Sequence, residues 1–135
     1  MNGKFVVSRD IPSDRLDWGE LAWISRPSTT GSRQITEALV TLGPGFGHDF
    51  HRHPQQEEVL YVLSGTVEQW IEEEKRILSP GDAVFVGRGV VHASFNTGTG
   101  DAKFLVVLSP SAGEGGYESE EVAAQPPWNR LRTQR

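Results

Sequence analysis

The sequence predicts an all-β fold of the sandwich or barrel type, and two features support that prediction. Glycine and proline interrupt the chain throughout, with 15 glycines and 8 prolines among 135 residues. The segments between these interruptions are short, rich in β-branched and aromatic residues, and without helical periodicity. Many short strands separated by turn-forming residues are typical of sandwiches and barrels. The length fits one domain with a buried core.

Six segments are predicted as strands of a central domain, each bounded by turn-forming residues. In chain order they are Gln34–Leu42, Glu58–Ser64, Thr66–Ile71, Ala83–Val86, Val91–Asn96 and Ala102–Leu108. Phe5–Val7 and Leu21–Ile24 are expected to add edge strands. Tyr117–Gln125 is the one segment expected to form a short helix, because Pro126 and Pro127 would end it.

The chain is expected to divide into three parts. They are an N-terminal extension with edge strands (residues 1–33), a barrel (34–110) and a C-terminal tail (111–135). Trp18 and Trp23 are expected to cover the core or a subunit contact. Trp128 is expected to dock the tail onto the barrel, and Asn129–Arg135 to fray.

Composition excludes several classes of protein. The chain has no cysteine, so disulfide scaffolds, thiolate metal sites and cysteine nucleophiles are excluded, and a metal site must use histidine or oxygen ligands. A net charge of −5 disfavours general nucleic-acid binding, which normally requires a basic face. No apolar run approaches the roughly 20 residues of a membrane span, and no secretory signal is visible. We therefore expect a cytoplasmic protein with no membrane or nucleic-acid partner.

Three of the four histidines, His48, His51 and His53, fall within six residues. On a strand, side chains at i and i+2 lie on the same face, so His51 and His53 would point together. Two convergent imidazoles suit a first-row transition metal. An isolated His-x-His pair is more often a surface feature, so the prediction of a metal site depends on further ligands.

Glu58 and His92 are the candidates for those further ligands. A turn at Pro54 would allow Glu58 to return on the next strand, and His92 lies in another strand-like run. Three nitrogen ligands and one oxygen ligand would leave coordination positions open on an octahedral metal, as catalysis requires.

These residues resemble the two sequence motifs of the cupin family. The first motif is matched by Gly45, His51, His53, Glu58 and Gly65. The second is matched by Gly81, Gly89, His92 and Asn96, with Gly87 standing where proline is usual. The resemblance covers about residues 34–108.

The resemblance implies a double-stranded β-helix, a jelly-roll barrel. It implies that His51, His53, Glu58 and His92 bind one divalent transition metal per chain, which would be Fe, Mn, Ni, Zn or Cu. The motif spacing selects Glu58 rather than Glu57, since Glu58 lies seven positions before Gly65. In the family, the residue at the position of Asn96 generally supports the barrel.

Three other residues are weaker candidates for a role in function. His48 would either line the cavity mouth as an acid–base group or lie exposed to solvent. Gln69 would either face the barrel interior and meet substrate or face a rim. Trp70, on the opposite face of that strand, could join a dimer contact. His48 and Gln69 are therefore the candidate catalytic residues.

The predicted function is that of a metal-dependent cupin acting on a small oxygen-bearing molecule, with dioxygenase-type oxidation favoured. One alternative is a non-redox isomerase, lyase or epimerase that uses the metal as a Lewis acid. Another is a non-catalytic protein that binds a small ligand, since cupins include both enzymes and binders. A homodimer is expected from the family.

Overall fold

The computed structural model describes residues 2–132, and their regular structure is almost entirely β. The strands are β1 (Ser13–Leu16), β2 (Gly19–Ser25), β3 (Thr36–Leu42), β4 (Gly47–Arg52), β5 (Glu57–Ser64), β6 (Val67–Ile71), β7 (Glu74–Leu78), β8 (Ala83–Val86), β9 (His92–Phe95), β10 (Ala102–Ser109) and β11 (Glu120–Glu121). One short helix, α1 (Pro27–Thr30), and two 3₁₀ turns, Ser8–Asp10 and Trp128–Arg130, accompany them.

The strands form two antiparallel sheets that face each other. The order in the first sheet is β1-β2-β3-β10-β5-β8, and the order in the second is β11-β4-β9-β6-β7. Strands far apart in the chain are direct neighbours, so that Val106 on β10 pairs with Ala38 on β3 and with Leu60 on β5. This arrangement confirms the predicted all-β jelly-roll barrel.

The main core lies between the two sheets. Burial alternates along β3 and β10, because successive side chains of a strand point to opposite faces. The buried members of this core are Leu21, Trp23, Ala38, Val40, Leu42, Leu60, Val62, Val67, Leu78, Ala102, Phe104, Val106 and Leu108. Both sheets contribute to it, which holds their inner faces together.

A second core covers the outer face of the second sheet. It consists of Phe50, Trp70, Val91, Ala93, Phe95 and Val122, with Ala123, Trp128 and Leu131 packed against it. Because this sheet is covered on both faces, β9 is buried at every position and β6 at four of five. The sequence analysis suggested that Trp70 could join a dimer contact. Its side chain is only 6% exposed, however, and packs inside its own chain.

The six predicted central strands are all present, with ends that differ by at most two residues. The segment Leu21–Ile24 lies within β2. Four strands, β1, β4, β7 and β11, were not among the predicted segments. β1 is exposed at every position and β7 at all but Leu78, so neither carries the apolar alternation that marks a strand. β11 is only two residues long.

The prediction of an edge strand at Phe5–Val7 is wrong. This segment pairs with no strand in the described part of the chain, and Phe5 is 97% exposed. The prediction for Trp23 holds, because its ring is buried in the main core and its Nε1 donates a hydrogen bond to Asp14. Trp18 packs against the same core.

The prediction of a helix at Tyr117–Gln125 is also wrong. The segment is extended, and within it β11 pairs with β4 through Glu120 opposite Arg52 and Glu121 opposite His51. Pairing with the free edge of β4 satisfies backbone groups that a helix would have bonded internally. Trp128 docks as predicted, with its ring stacked 5.7 Å from that of Phe50.

The end of the described chain is anchored rather than frayed. Leu131 packs on the second core, and Arg132 Nε donates a 2.7 Å hydrogen bond to Glu68. The prediction of fraying was therefore wrong for residues 129–132, and residues 133–135 lie outside the described part of the chain. Among residues 2–132, no helix has the length and apolar character to cross a membrane.

Candidate metal centre

Four buried side chains from three strands and one loop meet between the sheets. His51 lies on β4, Glu58 on β5 and His92 at the start of β9, while His53 directly follows β4. Each is at most 6% exposed. Antiparallel pairing places His51 opposite His92. The structure thus brings together the four residues expected to bind metal, and their binding of an ion stays a prediction.

The donor atoms of these side chains converge on one point. His53 Nε2 and His92 Nε2 lie 3.2 and 3.0 Å from the same oxygen, Glu58 Oε1. The donor atoms of His51, His53 and His92 all lie within 4.8 Å of one another. Ligand atoms about 2.1 Å from a tetrahedral zinc ion are roughly 3.4 Å apart. The observed spacings can therefore accommodate a single ion.

Backbone carbonyls fix the orientation of all three histidine rings. The Nδ1 atoms of His51, His53 and His92 donate to the carbonyl oxygens of Asp49 (2.6 Å), Glu118 (2.9 Å) and Val90 (3.0 Å). A ring that donates through Nδ1 presents the lone pair of Nε2 when it is neutral. Metal-binding histidines are commonly held in this way.

Two atoms of the cluster have no hydrogen-bond partner although both are buried. They are His92 Nε2 and Glu58 Oε1. Buried polar atoms are nearly always hydrogen-bonded, and an exception needs an explanation. The two atoms lie 3.0 Å apart, and with a neutral imidazole this spacing sets a ring lone pair against a carboxylate oxygen, which a bound cation would satisfy. The residues therefore fit a divalent transition metal.

Burial and neighbouring groups shift the pKa values of His51, Glu58 and His92 in different directions. Burial lowers the pKa of His51 well below its ordinary value, and His48 adds to this effect. Burial alone would raise the pKa of Glu58, but His92 and His53 hold that pKa well below its usual range. For His92, burial is outweighed by the Glu58 carboxylate, which raises the pKa. Glu58 is thus ionised at neutral pH, as a metal-binding carboxylate must be.

A bulge in β4 brings His48 to the same face as His51. His48 pairs with Ser94 of β9, and His51 pairs with His92. The two residues on β4 are three positions apart, whereas their partners on β9 are two positions apart. The additional residue in β4 reverses the alternation of side chains. The rings of His48 and His51 are consequently stacked, with centroids 3.5 Å apart, and Trp18 stacks on the other side of His48.

His48, His51 and Glu121 form a second group of potential metal ligands. His48 Nε2 lies 3.1 Å from Glu121 Oε1, and this carboxylate is 58% exposed. Burial would raise the pKa of Glu121, but its hydrogen bond to His48 lowers it. His51 belongs to both groups, and because its Nδ1 is bonded to the carbonyl oxygen of Asp49, it has one nitrogen, Nε2, left for a metal ion. We therefore interpret His48 and Glu121 as a hydrogen-bonded pair beside the centre.

The cluster lines a cavity whose other walls are mainly apolar and aromatic. The apolar and aromatic lining consists of Trp18, Leu21, Trp23, Val40, Leu60, Phe104, Val106, Leu108 and Tyr117. His48 and Ser94 add polar groups to these walls. The cavity volume is about 50 Å³, so it would admit the metal-binding end of a ligand and not a whole drug-sized molecule.

Gln69 lies behind the cavity wall. It is 3% exposed, and its Oε1 accepts a 2.6 Å hydrogen bond from the hydroxyl of Ser94. Ser94 lines the cavity, whereas Gln69 is not part of that lining. Gln69 therefore orients a lining residue, and a catalytic role for it stays a prediction.

Two further residues behave as the motifs implied. Glu57 is exposed to solvent, unlike its neighbour Glu58. Asn96 is buried, and its amide donates to the carbonyl oxygens of Leu42 and Gly100 while accepting from the backbone of Gly98. Asn96 thus fastens the loop that follows β9 and takes no part in the cluster.

Sequence reasoning missed the residues that the C-terminal segment brings to the site. Tyr117 lines the cavity, the carbonyl of Glu118 orients His53, and Glu121 pairs with His48. Gln56, whose buried amide bonds this segment, was also missed. Of these four residues, only Gln56 could have been suspected from the sequence, because it lies between two expected ligands. The other three lie in the segment that was predicted to form a helix.

The fold and these converging donors define a class, namely small β-barrel proteins with a buried group that can hold a metal ion. The sequence model of the cupin domain family matches residues 38–108 of this chain, and the chain therefore belongs to the cupin family. The resemblance inferred from the two motifs is confirmed.

Several known proteins are similar to this chain. The tetracenomycin polyketide synthase protein TcmJ of Streptomyces glaucescens is 30% identical over 130 residues, which cover 92% of this chain and 87% of that protein. The pectin degradation protein KdgF of Dickeya dadantii is 34% identical over 87 residues, covering 64% and 79%. The solved polyketide cyclase RemF from Streptomyces resistomycificus has a TM-score of 0.76 at 18% identity, covering 96% and 98%. At that identity the likeness to RemF concerns the fold alone.

Proposed function

We propose that this chain is a metal-dependent enzyme acting on a small molecule with several oxygen atoms on an apolar, ring-forming body. One observation carries the proposal, namely that three imidazoles and a carboxylate converge in the wall of an otherwise apolar and aromatic cavity. The donors would bind the oxygen-bearing end of a substrate through the ion, and the aromatic walls would pack against its body.

The donor set favours a divalent transition metal. Calcium and magnesium prefer oxygen ligands, whereas imidazole suits Zn, Ni, Cu and Fe. His51, His53, Glu58 and His92 would hold the ion, as the sequence led us to expect. The bound ion would supply Lewis acidity, which polarises a coordinated oxygen and acidifies a neighbouring C–H group.

The chain's own side chains would bind the substrate and carry protons. Trp18, Trp23 and Tyr117 give the cavity an aromatic wall, and its apolar side chains exclude water. His48 lines the cavity, is held by Glu121, and is the candidate for proton transfer at the mouth. Ser94 is a further polar group for orientation, and Gln69 fixes its hydroxyl.

The relatives favour non-redox chemistry over the oxidation expected from the sequence. TcmJ, which is 30% identical to this chain, is a polyketide synthase protein, and polyketide assembly includes ring closure. Cyclisation of a poly-β-ketone begins with removal of a proton from a carbon beside a carbonyl group. Proton removal there agrees with a Lewis-acid centre beside a histidine. Dioxygenase-type oxidation is the second candidate, because three nitrogen ligands and one oxygen ligand also suit iron.

Metal analysis tests the site. Protein purified without chelators should contain one transition-metal ion per chain, and Glu58→Gln should lose it. The matched control is Glu57→Gln, which changes the exposed neighbour and should keep the metal. Equal metal content in both variants would contradict the site.

Activity assays with defined metals separate the two reactions. Protein loaded with zinc or nickel should convert aromatic β-diketones or poly-β-ketones to products of unchanged oxidation level, as detected by mass spectrometry. Oxygen uptake should then be absent. Turnover that occurs only with iron and consumes oxygen would instead support the dioxygenase.

A further inference from the structure

Gln56 is a buried side chain that no sequence motif and no ligand role explains. It lies in the loop between β4 and β5, between the expected ligands His53 and Glu58, and is 2% exposed. Its Nε2 donates to the carbonyl oxygens of Pro110 (2.8 Å) and Gly116 (3.0 Å), and its Oε1 accepts from the backbone N–H of Glu118 (3.2 Å). Two carbonyls face the NH₂ and one N–H faces the oxygen, so the amide orientation is determined.

The segment held by Gln56 forms part of the metal centre. Glu118, which donates to Gln56 through its N–H, accepts the Nδ1 hydrogen bond of His53 through its carbonyl oxygen. Tyr117 lies between the two anchored residues and lines the cavity, with its ring 5.4 Å from Trp23 and 6.1 Å from His53. The anchoring of this segment therefore reaches both a ligand and a wall.

The backbone conformation of the segment is equally constrained. Gly116 has a φ of +91°, and a Cβ there would lie 2.5 Å from Thr36 Oγ1. Its carbonyl accepts hydrogen bonds from both Gln56 and the hydroxyl of Thr36. Gly116 is thus seated between the first sheet and the β4–β5 loop, in a conformation that favours glycine.

His53 is the histidine most dependent on this arrangement. The carbonyls that orient His51 and His92 belong to Asp49 and Val90, each two residues from its own histidine. The carbonyl that orients His53 belongs to a residue 65 positions away. Local backbone geometry therefore positions two rings, whereas the third depends on how the C-terminal segment is docked.

We propose that Gln56 is a positioning residue of the metal centre, which sets the His53 ring by anchoring the Gly116–Glu118 segment. The proposal rests on the proposed metal-binding function. It assigns to residues 116–118 a direct part in ligand orientation and in closing the cavity. Loss of an outer hydrogen-bonding partner of a metal ligand typically costs 10- to 100-fold in metal affinity.

The test uses Gln56→Met, which keeps the length of the side chain and removes its hydrogen bonds. The matched control is Gln55→Met, since Gln55 is exposed and its amide oxygen bonds only the side chain of Arg88 among the described residues. Zinc affinity, measured by competition with a chelator, should fall 10- to 100-fold in Gln56→Met and stay unchanged in the control. Wild-type affinity in Gln56→Met would overturn the proposal.

A second measurement distinguishes positioning from general loss of structure. In metal-free protein at mildly alkaline pH, ¹⁵N spectra of the imidazoles report which nitrogen of each histidine carries the proton. The spectrum of His53 should change in Gln56→Met, while those of His51 and His92 stay as in wild type. Equal changes in all three rings, or in none, would contradict the proposal.

The two readouts separate this inference from the proposed function. If the wild type binds no transition metal, the proposed function fails, and the His53 spectrum in metal-free protein still tests the role of Gln56. If Gln56→Met does not fold, Gln56→Glu replaces it. This variant keeps an acceptor for Glu118 but has at most one O–H in place of the amide's two N–H groups, so at least one carbonyl loses its donor and zinc binding should also weaken. Unchanged zinc binding by folded Gln56→Glu would overturn the proposal.

Discussion

The two adjacent glutamates at the start of β5 differ in their exposure to solvent. Glu57 is exposed, whereas Glu58 is 6% exposed and faces two histidines. The strand period of two explains the difference, since neighbouring side chains point to opposite faces. The motif spacing pointed to Glu58, and the structure supplies the physical reason for that choice.

His48 shows the limit of sequence reasoning for a single residue. Three positions from His51, it would lie on the opposite face of a regular strand. The bulge in β4 reverses this, so that its ring stacks on that of His51. Whether a strand contains a bulge depends on its pairing with β9, which no feature of the histidine cluster reveals.

We predict that His48→Gln impairs turnover without loss of metal. His48 is not among the four converging donors, so the metal content should equal that of the wild type. Removal of a proton-transferring group should lower kcat by about 100-fold or more. Metal analysis and steady-state rates on the same preparation would check this. Loss of the metal in His48→Gln would instead show that His48 is a ligand.

The C-terminal segment is the element that the sequence described least well. Its glutamates and alanines favour a helix, yet it runs extended, and Val122 N donates to the carbonyl of Phe50. Local preference is weak compared with pairing to a free strand edge and burial of Val122 and Trp128 over the second sheet. The six central strands were predictable because they are short, rich in β-branched and aromatic residues and separated by turn-forming residues, and three of them, β3, β5 and β10, also show alternating burial.

The anchor of this element is the ion pair between Arg132 and Glu68. Glu68 is largely buried, accepts a hydrogen bond from Trp70 Nε1, and lies 2.7 Å from Arg132 Nε. The guanidinium group also lies 3.7 Å above the ring of Phe95. Removal of the arginine would leave a buried carboxylate without its charged partner.

We expect Arg132→Ala to lower the free energy of unfolding by about 1 to 3 kcal/mol, since the unpaired carboxylate is incompletely solvated. Arg130→Ala is the control, because Arg130 lies two residues earlier and is exposed. Urea denaturation of both variants would measure the difference. Equal stabilities would mean that the C-terminal anchor contributes nothing to the fold.

At the scale of the whole molecule, the barrel brings donors from distant parts of the chain together. Metal binding to the folded state should therefore stabilise the entire domain. At a free metal concentration 100 times Kd, the gain is about 2.7 kcal/mol. For a domain of this length we expect Tm to rise by roughly 5 to 12 °C.

Thermal denaturation with zinc, and again after addition of a chelator, would measure this rise. Glu58→Gln should show no rise, and Glu57→Gln should behave as wild type. A wild-type Tm that does not respond to any divalent transition metal would contradict the metal centre.

We propose that this chain forms a homodimer through the outer face of the first sheet. Its exposed apolar residues are Val59, Tyr61, Leu63 and Phe85. Leu105 on β10 pairs with Tyr61, and Leu39 on β3 pairs with Leu105, so these two residues extend the surface across the sheet. Contiguous exposed apolar surface is typical of interaction sites.

The charges on this face favour a second copy as its partner. Glu37 and Lys103 lie on the outward side of β3 and β10, towards opposite ends of the face. A two-fold axis that lies in this face and runs across the strands would set the lysine of one copy against the glutamate of the other.

We predict that Tyr61→Glu with Phe85→Glu converts a dimer to a monomer, as measured by light scattering at several concentrations. Ile77→Glu is the control, because Ile77 is 56% exposed on the second sheet. A monomeric wild type would contradict the prediction, and so would a double variant that remains dimeric.

The sequence by itself determined the all-β class, the central strands and the four candidate ligands. Each follows from local periodicity or from the spacing of short motifs, and both can be recognised in a single sequence. Only the tertiary structure decided that His48 joins their face, that Trp70 is internal, and that the segment around Tyr117 closes the cavity. These outcomes depend on a bulge in β4, on the cover over the second sheet and on pairing at the edge of β4. All three are contacts between segments that are distant in the chain.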